Sequence, residues 1–108
     1  MGRLLVNESG AENPRTVSAK IDGAGDLVFS GVDWGPGVEE FFGRDEIEFW
    51  YTVRRGDLGA FAKVASVDPD RLLESLHEKW SGTRFNELAD LMRTDPDELG
   101  FKVEESSY

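Results

Sequence analysis

In three stretches of the first half, apolar and polar residues alternate with a period of two, the mark of a strand with one buried face. Residues 15–22 set Val17, Ala19 and Ile21 against Ser18, Lys20 and Asp22, and residues 26–34 put Leu27 and Phe29 on one face. Gly23, Ala24 and Gly25 between them supply a flexible turn, so these two stretches predict a hairpin. Residues 46–54 then alternate Ile47, Phe49, Tyr51 and Val53 with Glu48, Trp50, Thr52 and Arg54. The consecutive aromatics Phe49, Trp50 and Tyr51 therefore split, two rings inward and one outward. Residues 4–6 read as a further short strand, and NESGAENP at 7–14 as a loop or hairpin connection. GPG at 35–37 breaks regular structure, and VEEFFG at 38–43 has room for one or two helical turns.

The second half changes to helical spacing. Asp57 is placed to cap a short helix whose Leu58, Phe61, Ala62 and Ala65 recur at i, i+3, i+4 and i+7. Asp68 followed by Pro69 is a stronger start signal, for a helix carrying Leu72, Leu73, Leu76 and Trp80 and ending near Gly82. A third helix spans about residues 83–93, with Phe85, Leu88, Ala89 and Met92 on its apolar side. Asp95 and Pro96 repeat the start signal, but Gly100 leaves space for a single turn. Phe101 and Val103 against Lys102 and Glu104 suggest a closing strand. Strands, then helices, then one strand predict a single α+β domain over residues 1–108. Its sheet is mostly antiparallel with four to five strands, and two to three helices pack on one face.

Bulk composition narrows the chemistry. The chain has 108 residues, 39% of them hydrophobic, which is enough for one core. It holds no cysteine, which removes disulfides, thiolate nucleophiles and cysteine-based zinc sites together. Twelve basic residues against 22 acidic ones give a formal net charge of −10. Such a field repels phosphate backbones and anionic lipid, so neither nucleic acid nor membrane is an expected partner, and basic proteins are favoured. Seven acids and two bases between Asn86 and Glu105 add a local net of −5. The absence of a long apolar run or a signal-like start leads to the expectation of a soluble, cytoplasmic protein.

Candidate catalytic groups are sparse. The single histidine, His77, has no nucleophile in a recognisable motif beside it. Glu46 and Glu48 project from one strand face, roughly 7 Å apart, a spacing compatible with two-carboxylate chemistry if a cleft surrounds them. DPDRLLE and DPDELG lack the calcium-loop spacing, and the glycines form no nucleotide-binding pattern. No cofactor and no metal are expected, and the chain reads as a non-enzyme. What remains is surface: Trp34, Phe41, Phe42 and Trp50, rimmed by Glu46 and Glu48, form a candidate partner-binding set. If helices cover both faces of the sheet, these rings are core instead. A small-ligand or carboxylate-dependent site at Glu46 and Glu48, and homo-oligomerisation through an uncovered face or edge, are the alternatives.

GVDWGPGVEEFFGRDEIEFWYTV, followed by LLESLHEKW and an acidic end, resembles a group of small uncharacterised proteins of actinobacteria. That resemblance implies a bacterial cytoplasmic domain and carries no functional residue with it. In size, acidity and lack of catalytic parts the chain is also loosely similar to bacterial immunity proteins, which bind and block a cognate toxin.

Overall fold

The computed structural model describes residues 2–7, 15–34 and 46–107, without the side chains of Arg3, Leu4, Val6, Asn7, Asp33, Trp34, Glu46, Ile47 and Ser107. The loop at 8–14, the GPG break and the helical turn expected at 38–43, with Phe41 and Phe42, lie outside the described residues.

Among the described residues, five strands form one antiparallel sheet in chain order: β1 (Gly2–Asn7), β2 (Arg15–Ile21), β3 (Leu27–Trp34), β4 (Glu46–Val53) and β5 (Val103–Ser107). Between β4 and β5 lie α1 (Leu58–Ala65), α2 (Leu72–Trp80), α3 (Phe85–Met92) and the single turn α4 (Pro96–Leu99). This is the α+β arrangement expected from the pattern, with the first strand longer than residues 4–6. A bulge interrupts the pairing of β1 between Leu4 and Val6, and Leu5 at that point is buried.

The β2–β3 hairpin closes as its composition requires. The Asp22 carboxylate accepts from the backbone N–H groups of Ala24 at 2.9 Å and Asp26 at 3.0 Å, while Gly25 N–H donates to the Asp22 carbonyl. Gly25 sits at φ +85°, and a Cβ there would lie 2.8 Å from Arg55 Cδ, so both the turn and the approach of Arg55 need glycine.

The helices cover one face of this sheet. Val17, Ala19, Leu27, Phe29, Phe49, Tyr51 and Val53 point into the core with Phe61, Leu76, Phe85, Leu88, Met92 and Phe101. Phe29 links the layers: its ring centroid is 6.1 Å from that of Phe61 and 5.8 Å from that of Phe85. Such contacts exploit ring quadrupoles as well as buried area. Phe61 in turn meets Phe101 edge-on at 6.2 Å, which anchors the approach to β5.

Helix starts correct the reading in detail. Asp57 does not cap α1; it belongs to a preceding 3₁₀ turn (Arg55–Asp57), whose N–H-to-carbonyl bond to Arg54 takes its backbone out of the extended conformation a cap needs. Asp68 and Asp95 do cap, accepting from Asp70 and Asp97 N–H at 2.9 Å, although a 3₁₀ turn at Pro69–Arg71 delays α2 to Leu72. A similar turn at Gly82–Arg84 moves the start of α3 to Phe85. At the end of α1, Ser66 adopts φ 56° and ψ 46°, with Ser66 N–H on the Lys63 carbonyl and Val67 N–H on Ala62. This is the Schellman pattern with serine where glycine is favoured. The Trp80 indole N–H donates to the Ala65 carbonyl at 3.0 Å, so α2 closes its end on the end of α1.

Candidate functional site

The alternation that buries Phe49 and Tyr51 sends Glu48, Trp50 and Thr52 to the opposite face, where none of the described helices packs. Antiparallel register places those side chains in rows. Trp50 lies opposite Ser30, which lies opposite Ser18; Glu48 lies opposite Val32, which lies opposite Thr16. Strands are spaced about 4.8 Å apart and same-face residues about 7 Å along a strand, so the two rows make a patch roughly 10 Å wide.

In the middle of the patch is an open dish of about 270 Å³. Trp50 and Glu48 form one wall, Thr16, Ser18 and Ser30 contribute hydroxyls, and Val32 and the Gly31 backbone complete it. Gly31, in the lining of the dish, answers to the core behind it. A Cβ on it would come within 2.8 Å of both Phe49 Cε1 and the Thr16 carbonyl, because the Phe49 ring lies over the glycine on the core side. The aromatic ring fills the space that β3 leaves empty, an arrangement that compensates for glycine in a strand.

Charge on this face is unevenly spent. Asp26, whose side chain is only 8% exposed, accepts from the backbone N–H of Arg55 at 2.8 Å and from the Arg54 guanidinium at 3.1 Å. Arg54 also reaches Glu104 on β5 at 2.9 Å. The hydrogen bond and charge of Glu104, followed by those of Asp26, raise the Arg54 pKa above its ordinary value. Glu48 has no ion-pair partner among the described residues. Lys20, on the same face, stands opposite Val28, two residues along from the serine row.

Of the six predicted site residues, the structure brings Glu48 and Trp50 together on the face that no described helix covers, both half-buried. Trp34 and Glu46 pair across β3 and β4 in the same register, extending the strands beyond the dish, with side chains outside the description. Phe41 and Phe42 lie outside the described residues. The side chains missed were Thr16, Ser18, Ser30 and Val32. Carrying the period of two through all of β3, and pairing it antiparallel with β2 and β4, places them beside Trp50.

Other sites offer less. On the helical side, a cleft of about 370 Å³ is floored by Ile21, Leu58, Leu72 and Leu73 and rimmed by Asp70, Arg71 and Glu74. Its cation is committed: Arg71 bonds Glu74 at 2.7 Å and stands 3.7 Å from Glu78, and the Glu74 bond raises the Arg71 pKa. His77 is exposed on α2, in the helical layer rather than beside Glu48. Among the described residues no group of three histidine or acidic side chains is arranged to hold a metal, and no helix is long and apolar enough to cross a membrane. Comparison with protein families, with curated proteins and with solved structures finds no match.

Proposed function

We propose that the chain is a non-catalytic binding module which docks a basic protein through the sheet face carrying Trp50 and Glu48, in the manner of an inhibitor such as an immunity protein. The observation that carries this reading is the pairing of a half-buried tryptophan with a carboxylate that has no ion-pair partner among the described residues, on a face that no described helix covers. A tryptophan on a firm strand supplies contact area at low entropic cost, and a net charge of −10 steers a basic partner toward it. Acid–base catalysis needs a second positioned group, and the described polar side chains that share the dish with Glu48 are the hydroxyls of Thr16, Ser18 and Ser30 and the Trp50 indole.

The test is affinity capture from native cells with the tagged chain, its Ser30→Arg variant and a Glu78→Lys variant on the exposed side of α2. Ser30→Arg places a long cation in the dish and should abolish capture of a basic protein, while Glu78→Lys retains it. A captured protein that both variants retain equally, or the absence of any captured partner at low salt, overturns the reading.

A further inference from the structure

The structure assigns the dish on this face a specific occupant: an arginine side chain of the partner, stacked on the Trp50 indole with its guanidinium on the Glu48 carboxylate. The inference rests on the docking reading above and deepens it, naming the side chain that the face recognises.

Three features converge. The first is geometry: Trp50 and Glu48 are two residues apart on β4 and line the same dish, about 7 Å apart along the strand. A guanidinium is flat and about 4–5 Å across, so one group stacked on the indole extends toward the carboxylate. The second is charge accounting. The acids Asp26 and Glu104 on the outer face are both held by Arg54, whereas Glu48 has no cation partner among the described residues. Lys20 stands two strands away and four residues along, at roughly 16 Å by strand spacing, beyond contact with Glu48. The third is the wall opposite. Ser18, Ser30 and Thr16 offer hydroxyl oxygens as acceptors, matching the five N–H donors that a guanidinium presents in fixed directions.

The volume agrees with one side chain rather than a larger ligand. About 270 Å³ of open space accepts a guanidinium with part of its aliphatic stem, and Val32 gives that stem an apolar contact. An anion is disfavoured by Glu48, and a neutral polyol would gain the hydroxyl contacts while leaving Glu48 without a counter-charge.

The experiment is a titration of isotopically labelled protein with N-acetyl-arginine amide, followed through the Trp50 indole N–H and the Ser18 and Ser30 backbone amides. N-acetyl-citrulline amide, which keeps the shape without the charge, is the comparison. The expected result is saturable movement of these signals by arginine at low salt, at least tenfold tighter than citrulline, with the preference lost in Glu48→Gln. The unchanged spectrum elsewhere in that variant reports an intact fold. Equal affinity for citrulline, or arginine-induced shifts confined to other surfaces, overturns the inference. If that happens while Ser30→Arg still abolishes partner capture, the docking face stands without its arginine anchor. Conversely, a specific arginine response with capture insensitive to Ser30→Arg retains the anchor and removes the docking reading.

Discussion

Replacing Gly31 by alanine should destabilise the protein out of proportion to one methyl group. The position is buried in β3 between Val17 and Phe49, and the added Cβ would meet Phe49 Cε1 and the Thr16 carbonyl, each at 2.8 Å. The carbonyl belongs to the neighbouring strand and cannot rotate away, while the Phe49 ring is 8% exposed and lies 5.5 Å from the Arg15 guanidinium and 5.8 Å from Tyr51. Overpacking of this kind costs about 1–3 kcal/mol, against about 0.5–1 kcal/mol recovered by removing glycine from a strand. The net is a loss of about 1–2 kcal/mol, which for a domain near this size lowers the melting temperature by roughly 5–15 °C. Thermal and denaturant unfolding of Gly31→Ala, alone and with Phe49→Leu, measures both the loss and its source. The second substitution should reduce the Gly31→Ala penalty without removing it, since the Thr16 carbonyl remains. Stability equal to or above the parent, or a penalty unchanged by Phe49→Leu, refutes the claim that the ring occupies the glycine's place.

Other consequences are open to the same assays. Ser66→Gly removes a side chain from the left-handed cap of α1 and should raise stability by about 1 kcal/mol in urea unfolding, whereas Ser66→Ala should not. Asp26→Ala leaves the Arg55 N–H without its acceptor and should cost about 2 kcal/mol; Asp26→Asn keeps an acceptor oxygen and should cost less than half as much in the same measurement. Burial raises the Tyr51 pKa above 10.0, with Glu105 adding to the rise and Arg93 opposing it. Because the folded state holds this proton more tightly than the unfolded state, the contribution is complete below pH 10 and is lost as pH climbs through the raised value. Melting curves should therefore fall more steeply with alkaline pH for the parent than for Tyr51→Phe.

The strands were legible because one face packs into the core and the other lies outside it, so polarity tracks the pleat from Val17 to Ile21 and from Glu48 to Val53. The helix faces were legible for the same reason: Phe85, Leu88, Ala89 and Met92 are all buried. Helix beginnings were less so, because a 3₁₀ turn and an α-helical turn have similar local propensities and the choice depends on tertiary packing. Asp68 and Asp57 both offer a capping carboxylate, Asp68 with the added signal of Pro69, yet the backbone is extended at Asp68 and coiled into a turn at Asp57. The dish was half legible. Trp50 and Glu48 follow from alternation within one strand, but Ser18, Ser30 and Thr16 join them only through cross-strand register, which no single segment encodes. The role of Gly31 depends on where the Phe49 ring lies, a packing fact invisible to periodicity.

The central claim is that the sheet face left uncovered by the described helices is where this chain meets its partner. Photo-crosslinking in native cells tests it at single residues, with a benzophenone amino acid placed at Ser18 on that face or at Glu78 on the exposed side of α2. The account predicts a discrete cross-linked species, containing a basic protein, from position 18 and none from position 78. Cross-linking from position 78 alone, or equally from both, contradicts it.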